Sequence, residues 1–264
     1  MYGRPTGAGT SLVSYRAWRG HRSGVRDAGG CRAVIDLGSK TWATVRAQLL
    51  PAGYPPAICP RRLATAGRVR RLQKSLYVVA DPVRDTPPIA IADAIFAELD
   101  HYVTTDAALM VQGLIDQPVP VITVVLTVPG RRSVRQNGAS VHPVTLAGRT
   151  FSASQTFETT TEGFRLRLAT REQAVVDALA EPRWMTHFSL LPEILRSFDE
   201  SEIARTAERA IERSGAAAQS LAFLLEDAGR EIPTPLAAVK PKSTVDLVPR
   251  HRHGVFSTRW RVYG

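Results

Sequence analysis

The chain has 264 residues, of which 44% are apolar and 22% are charged, and its formal net charge is +10. This apolar content is sufficient for one large hydrophobic core or two modest ones, so we expect a folded protein. The most apolar run, VPVITVVLTV at 119–128, is too short to span a bilayer, and Cys31 and Cys59 lack the Cys/His array of a zinc module. These features exclude a membrane-spanning protein and a disulfide scaffold, and a reducing cytoplasm is expected.

The positive charge is concentrated in the first third of the chain. Residues 1–84 contain 15 Lys or Arg and three acids, a balance of +12, whereas residues 85–264 have a balance of −2. A strongly basic segment followed by a near-neutral one is typical of a protein in which one domain binds a polyanion. We therefore expect two domains, divided between residues 84 and 85, with nucleic acid as the partner of the first.

The first 35 residues are rich in Arg, Ser and Gly and carry a single acid. We interpret residues 1–35 as a basic, partly disordered arm. Their composition also resembles that of a transit peptide, and an over-long start is a further alternative.

Two short helices are predicted between residues 39 and 67. The first lies in SKTWATVRAQLL and has Ser39 or Thr41 as its N-cap. Its apolar residues at helical spacing are Trp42, Val45 and Leu49. After a Gly/Pro-rich break, a second helix begins near Pro60 and ends at Gly67.

A basic hairpin follows the second helix. The sequence RVRRLQKSLYVV forms two β-like runs around residues 73–75, of which the first is basic and the second almost wholly apolar. Helix, turn, helix and basic hairpin in this order indicate a winged helix-turn-helix domain over residues 36–84. Six Lys or Arg and no acid lie between Arg61 and Ala80, on the two elements that such a domain presents to DNA.

The polar and basic residues of this domain are the candidate contacts with double-stranded DNA. Arg61, Arg62 and Thr65 lie at the start and outer face of the second helix, where an Arg–guanine pair is worth about 1–3 kcal/mol of discrimination. The basic residues of the hairpin are expected to contact phosphates. The predicted DNA-binding residues are Lys40, Thr41, Arg46, Arg61, Arg62, Thr65, Arg68, Arg70, Arg71 and Lys74. RNA is the main competing polyanion, but no aromatic stacking platform is interleaved with these residues.

Residues 85–264 are predicted to form a larger mixed α/β domain. An amphipathic helix over IAIADAIFAELD is followed by a helix that is capped by Thr104 or Thr105 and ends at Gly113. The apolar run at 119–128 is a buried strand, and SVHPVTL, RTFSASQTF and GFRLRLA are the next strand candidates. The expected fold class is α+β, with an N-terminal winged helix-turn-helix followed by a larger mixed α/β domain.

The second half of this domain is predicted to be mainly helical. Thr170 and Gln173 form a capping-box pattern before AVVDALA, and Asp199 and Glu202 form another before IARTAERAIER. A further helix over AAAQSLAFLLEDAG ends at Gly229, and short β-like pieces return around prolines after residue 236.

No catalytic or metal-binding signature is complete in this sequence. The glycines of GAGTS lack the Lys and the spacing of a phosphate loop, and His251 and His253 have no third ligand nearby. Glu172 and Asp177 lie about one helical turn apart, but an acid in the first turn of a capped helix is explained by the helix dipole. We therefore predict that the protein is not an enzyme and has no metal and no cofactor.

Two runs in the body resemble those of a known family. They are ALMVQGL, with Leu109, Gly113, Leu114 and the immediately preceding Ala107, and ATREQAVVDAL, with Ala169, Thr170, Glu172, Ala174, Asp177, Ala178 and Leu179. Together with the preceding segment GRVRRLQKSLYVV, they resemble the AbiEi family, the antitoxin and transcriptional-regulator half of type IV abortive-infection toxin–antitoxin pairs of bacteria. The resemblance covers residues 41–228 and consists of packing and capping residues rather than catalytic ones.

This resemblance implies a function for each domain. The N-terminal domain would bind operator DNA and repress its own operon, and the C-terminal domain would counteract a nucleotidyltransferase-like toxin, directly or only functionally. Two alternatives stay open. One is a protein-binding antitoxin that neutralises its toxin by direct contact, and the other is an enzyme acting on nucleic acid or a partner protein, with the winged helix as a targeting module.

Overall fold

A computed structural model describes residues 40–41, 69–73, 76–79, 87–96, 99–129, 133–136, 139–146, 151–152, 154–161, 164–248 and 255–264. The chain forms two units, Met1–Asp85 and Thr86–Gly264. The sequence analysis divides the domains between residues 84 and 85.

The described part of the first unit is a three-stranded antiparallel sheet. Its strands are Lys40–Thr41 (β1), Val69–Gln73 (β2) and Leu76–Val79 (β3), in the order β1-β3-β2. The hairpin expected at RVRRLQKSLYVV is confirmed, since β2 pairs with β3 from Val69 opposite Val79 to Gln73 opposite Leu76. Strand β1 was not predicted, and it occupies the first residues of the first predicted helix, so Ser39 is wrong as the N-cap of that helix because Lys40 and Thr41 are extended and paired with β3. The remainder of the two predicted helices falls on residues outside the described ranges.

A six-stranded mixed sheet forms the centre of the second unit. Its strands are His101–Thr104 (β4), Val121–Leu126 (β5), Val134–Gln136 (β6), Ala139–Thr145 (β7), Thr156–Thr161 (β8) and Phe164–Ala169 (β9). Their order is β6-β7-β5-β4-β9-β8; β5 is parallel to β7, β4 is parallel to β9, and the other neighbours are antiparallel. Every residue of the central strand β4 is buried, which requires cover on both faces of the sheet.

Helices cover both faces of this sheet. The described helices are Pro88–Ile95 (α1), Thr105–Val111 (α2), Arg171–Ala180 (α3), Leu191–Ser197 (α4), Glu200–Arg213 (α5), Gly215–Asp227 (α6) and Thr234–Ala237 (α7). Successive residues of β4 point to opposite faces. His101 contacts Asp93 of α1, whereas Tyr102 donates a hydrogen bond to Asp177 of α3. Helices α1 and α3 therefore lie on opposite sides of β4.

The C-terminal part surrounds α3 with further helices and ends in a small sheet. Short 3-10 turns at Pro182–Trp184 and Phe188–Leu190 lead from α3 into α4, and α3 contacts α5 and α6. The last strands are Val245–Asp246 (β10), Phe256–Ser257 (β11) and Val262–Tyr263 (β12), in the order β10-β12-β11. The mixed α/β class is confirmed for this unit. Within the described ranges, no helix has the length and apolar character needed to cross a membrane.

Strand β4 is the main element that was not predicted. Its residues, HYVT at 101–104, give no strand signal, because a strand buried on both faces shows no alternation of polar and apolar residues. The strand forms because β5 and β9, which are distant in sequence, supply its hydrogen-bonding neighbours. Helix α1 also ends at Ile95 rather than continuing to Asp100, and among the described residues of RTFSASQTF only Thr156 and Phe157 belong to a strand.

The predicted helix caps are confirmed in part. Asp199 and Glu202 form a complete capping box at the start of α5. Thr170 accepts the Gln173 N–H at the start of α3, but the Gln173 amide donates to Asp177 instead of returning to Thr170. The Gln173 amide bonds to Asp177, one turn further along the same helix, because the carboxyl of Asp177 is buried and needs donors.

Candidate functional site

The predicted DNA-binding residues fall partly within the three-stranded sheet of the first unit. Lys40 and Thr41 form β1, and Arg70 and Arg71 lie in β2. The other predicted contacts lie outside the described residues, namely Arg46, Arg61, Arg62, Thr65, Arg68 and Lys74. The described sheet thus brings together the backbone of two separate parts of the basic segment.

Lys40 and Arg71 occupy one row across this sheet. Lys40 is paired with Tyr77 of β3, and Tyr77 is paired with Arg71 of β2. Neighbouring strands are about 4.8 Å apart, so the backbones of Lys40 and Arg71 are separated by about 10 Å. This spacing follows from the pairing of β1 with β3, which the sequence pattern does not indicate.

In the second unit, the buried carboxyl of Asp177 connects α3 to the central strand. Its Oδ2 accepts hydrogen bonds from the Tyr102 hydroxyl at 3.0 Å and from the Thr104 hydroxyl at 2.8 Å. Its Oδ1 accepts one from the Gln173 amide at 2.9 Å. Tyr102 and Thr104 share one face of β4 because they are two residues apart in a strand. Three donors therefore satisfy a carboxyl that is removed from solvent.

Burial shifts the titration of both groups in this link. It raises the pKa of Asp177 above its ordinary value, although hydrogen bonds from Thr104 and Tyr102 act in the opposite direction. Burial also raises the pKa of the Tyr102 phenol, and the neighbouring carboxyl adds to that rise. Since both groups are buried and bonded to each other, their geometry holds α3 against β4.

A second buried carboxyl, Asp106, secures the segment that follows α3. It accepts the backbone N–H groups of Thr186 at 2.7 Å and His187 at 2.9 Å, and it contacts His187 Nδ1 at 2.8 Å. Asp106 lies in the first turn of α2, where a negative charge is favoured by the helix dipole. The start of α2 is thereby linked to the chain beyond the 3-10 turn at Pro182–Trp184.

The backbone at the junction of β4 and α2 is strained. Thr105 has φ of 52°, a conformation that is unusual for a β-branched residue and costs about 1–3 kcal/mol. Its hydroxyl donates to the Trp184 carbonyl at 3.1 Å, as does the hydroxyl of Thr123 in β5. Three consecutive residues therefore form hydrogen bonds with three different segments. Thr104 bonds to α3, Thr105 to Trp184, and Asp106 to the turn that follows Trp184.

Glu172, the other acid of interest in α3, is paired with arginines of α5. Its Oε1 accepts a hydrogen bond from Arg205 Nε at 2.7 Å, and its Oε2 lies 3.6 Å from Arg209. Burial acts to raise the pKa of Glu172, but hydrogen bonds from Arg205, from the backbone and from Thr170 outweigh it, so the pKa is lowered. Glu172 and Asp177 thus have separate partners, and the structure does not bring their carboxyls into one site.

Comparison with known proteins gives a likeness in fold. No protein-family model matches this chain, and no curated protein matches it. The structure is similar to the crystal structure of the Rv2827c protein from Mycobacterium tuberculosis, with a TM-score of 0.61, 15% sequence identity and 86% of each chain covered. At this identity the similarity concerns the fold alone.

A metal site was not predicted, and the described residues contain no group of three His, Cys, Asp or Glu side chains that could hold a metal ion. The histidine pair considered in the sequence, His251 and His253, lies outside the described ranges.

Several polar residues of the second unit are not singled out by the sequence analysis. The consecutive polar residues Thr104 to Asp106 between two apolar runs are a signal that could have indicated buried hydrogen bonding. Arg213 offers no such signal, because it follows Arg205 and Arg209 at helical spacing and this pattern is typical of a solvated helix face. Only the folded structure shows where the side chain of Arg213 lies.

Proposed function

We propose that this protein is a DNA-binding transcriptional repressor that acts as the antitoxin of a toxin–antitoxin pair. In this proposal residues 36–84 form a winged helix-turn-helix that binds the promoter of the protein's own operon in the cytoplasm. The body, residues 85–264, counteracts a nucleotidyltransferase-like toxin. The proposed function requires no catalytic step, cofactor or metal.

The observation that carries the DNA-binding part is the strand order β1-β3-β2 in the basic segment. Strand β1 precedes residues 42–68 and β2 follows them, so both ends of that stretch meet at one small sheet. In the proposed winged helix-turn-helix, the two predicted helices occupy this stretch between the first strand and the hairpin. The balance of +12 in residues 1–84 supports binding to phosphates.

The antitoxin part is supported by the two runs that resemble the AbiEi family. ALMVQGL contains the end of α2, and ATREQAVVDAL contains most of α3. The two helices contact each other, and the amide of Gln112 in the first run donates to the carbonyl of Ala169 in the second at 3.1 Å. The residues that carry the resemblance are therefore neighbours in the fold, as expected if they preserve one structural unit.

A mobility-shift assay on the native promoter, at two salt concentrations, tests the repressor. We expect binding that is tighter than to random DNA and weakens steeply with salt, since each phosphate contact releases counterions. The Arg61→Ala/Arg62→Ala variant should lose promoter preference, whereas the control Lys240→Ala/Lys242→Ala, which removes two exposed charges from the body, should bind as the parent does. Equal affinity for promoter and random DNA would contradict the proposal.

Growth rescue tests the antitoxin. The full-length protein, expressed from an unrelated promoter together with the toxin encoded beside it, should relieve growth arrest. The Arg61→Ala/Arg62→Ala variant should rescue equally well if the activity belongs to the body. Failure of the parent protein to rescue would refute the antitoxin assignment and leave the DNA-binding assignment standing.

A further inference from the structure

A small cavity in the second unit is lined by residues of β4, α3 and α5. Its volume is about 50 Å³, and it is also lined by Leu146, Phe151 and Gln155. The lining residues that matter here are Tyr102, Phe151, Gln155, Gln173, Arg209 and Arg213. One wall is aromatic, since the rings of Tyr102 and Phe151 meet edge to face at 4.7 Å. The lining also includes the side chains of Arg209 and Arg213, from successive turns of α5.

The two arginines of the cavity differ in how they are satisfied. Arg209 donates hydrogen bonds to the Thr170 hydroxyl and the Ser154 carbonyl and lies beside Glu172. Arg213 Nε is buried and has no hydrogen-bond partner, and it is the one buried side-chain nitrogen or oxygen of the described residues in this condition. A buried donor on a charged group without an acceptor is strongly unfavourable. An acceptor from outside the chain would remove this cost.

The local charges leave Arg213 without a dedicated carboxylate. Glu172 is occupied by Arg205 and Arg209, and Asp177 already accepts three hydrogen bonds from other side chains. Glu212 also lines the cavity, but it is exposed to solvent, which screens its charge. The cavity therefore offers one positively charged, planar donor group to a ligand.

We propose that this cavity is a binding site for a small oxyanion, either a phosphate group or a carboxylate, that accepts hydrogen bonds from Arg213. The guanidinium fork matches two oxygens of such a group, and charge-assisted pairs of this kind are among the strongest hydrogen bonds in proteins. The volume exceeds the roughly 10–15 Å³ that one water requires, so there is room for a group of several atoms.

The amide of Gln155 can add a second contact from the edge of the cavity. Its oxygen accepts the N–H of Ser152 at 3.1 Å, which fixes the side chain and leaves the amide nitrogen as a donor toward the ligand. The site is independent of the proposed DNA binding, because it is built from residues of the second unit alone.

Thermal unfolding of the full chain tests the site with sodium phosphate, sodium acetate and sodium chloride at equal ionic strength. A ligand that binds only the folded state raises the unfolding temperature with its concentration. We expect phosphate or acetate to raise it above the chloride value, and the more effective of the two identifies the oxyanion class. No rise beyond chloride with either salt would mean that the cavity holds water only, and the proposal would be overturned.

Variants assign the effect to the cavity. Arg213→Gln should weaken the oxyanion effect by about tenfold or more, because a charge-assisted hydrogen bond is lost. The matched control is Arg205→Gln, which removes an arginine of the same helix that does not line the cavity and should keep the parent's oxyanion response. A rise that persists unchanged in Arg213→Gln would arise from basic residues elsewhere and would also overturn the proposal.

A conservative variant provides a second test in case Arg213→Gln does not fold. Arg213→Lys retains the positive charge but lacks the planar fork, so we expect the oxyanion to bind several-fold more weakly than to the parent protein. Affinity equal to that of the parent would show that the guanidinium geometry is not used and would contradict the proposed pairing.

Discussion

The hydroxyl of Tyr102 donates a 3.0 Å hydrogen bond to Asp177 Oδ2, across 75 positions of the sequence. The bond joins the middle of the six-stranded sheet to α3, and both residues are buried. Because Thr104 donates to the same oxygen at 2.8 Å, two residues on one face of β4 share one acceptor. The register of β4 therefore determines which of its residues satisfy the carboxyl.

Removing the Tyr102 hydroxyl should lower stability without changing the fold. Tyr102→Phe retains the ring packed against Phe151 but removes one of three donors to Asp177. We expect the free energy of unfolding to fall by about 1–2 kcal/mol, as for the loss of a buried hydrogen bond. Urea denaturation measures this change, and an unchanged midpoint with an unchanged m-value would contradict it.

Asp177 should make stability depend on pH in a direction unusual for an acid. Its pKa is raised in the folded protein, principally by burial. Such a group favours folding below its unfolded pKa, near 4, and this contribution is lost as the pH rises toward and through the folded value. The parent protein should therefore lose stability relative to Asp177→Asn between pH 4 and neutral pH.

The Asp177→Asn variant is a suitable comparison because its amide can keep the neighbouring bonds. The Asn oxygen can accept from Tyr102 and Thr104, and the Gln173 amide can rotate to accept from the new nitrogen. Unfolding free energies by urea at pH 4.5 and pH 7.5 provide the test. A stability difference between the two proteins that stays constant over this range would refute the assignment.

Glu172 should show the opposite pH dependence from the same helix. Its pKa is lowered because hydrogen bonds from Arg205, the backbone and Thr170 outweigh the effect of burial. A carboxyl of this kind stabilises the fold above its unfolded pKa, and the contribution is lost as the pH falls through the folded value. Glu172→Gln should therefore be more destabilising at pH 7 than at pH 3.5. Urea midpoints at the two pH values measure this difference, and equal losses would contradict the ion pairing.

Two glycines at the ends of α6 should respond differently to alanine. Gly229 follows the helix with φ of +68°, where a Cβ meets no atom within 4 Å, so Gly229→Ala should cost about 1 kcal/mol from backbone conformation alone. Gly215 begins the helix with equally open space and no positive φ, so Gly215→Ala should be neutral or stabilising by up to about 1 kcal/mol. Thermal unfolding measures the stability of both variants. A Gly215→Ala variant that is less stable than the parent protein would contradict this prediction.

Elements with local signals are predicted well from this sequence. The start of α5 is encoded by Asp199 and Glu202, which bond to each other's backbone within four residues. The end of α6 is encoded by Gly229, and the basic hairpin by two short β-like runs around residues 73–75. In each case the interacting residues lie a few positions apart, so a short window of the sequence contains all the residues that form the element's end or turn.

Strand β4 illustrates what such patterns omit. Its four residues are buried and include three hydrogen-bonding polar side chains, those of His101, Tyr102 and Thr104, so neither alternation nor a continuous apolar run is visible. The strands beside it come from residues 121–126 and 164–169. No window of the sequence contains this arrangement, so the strand was not predicted, although the helix that follows it begins where the predicted cap at Thr104 or Thr105 requires.

By itself the sequence determined the concentration of positive charge in residues 1–84, the mixed α/β character of the remainder, and the helix boundaries marked by caps and glycines. The tertiary structure alone decided that Glu172 and Asp177, in one helix, have pKa values shifted in opposite directions. It also decided that the side chain of Arg213 lines a cavity. The physical reason is burial. Charge and capping are properties of neighbouring residues, whereas desolvation and the choice of hydrogen-bond partner depend on segments that meet only when the sheet is complete.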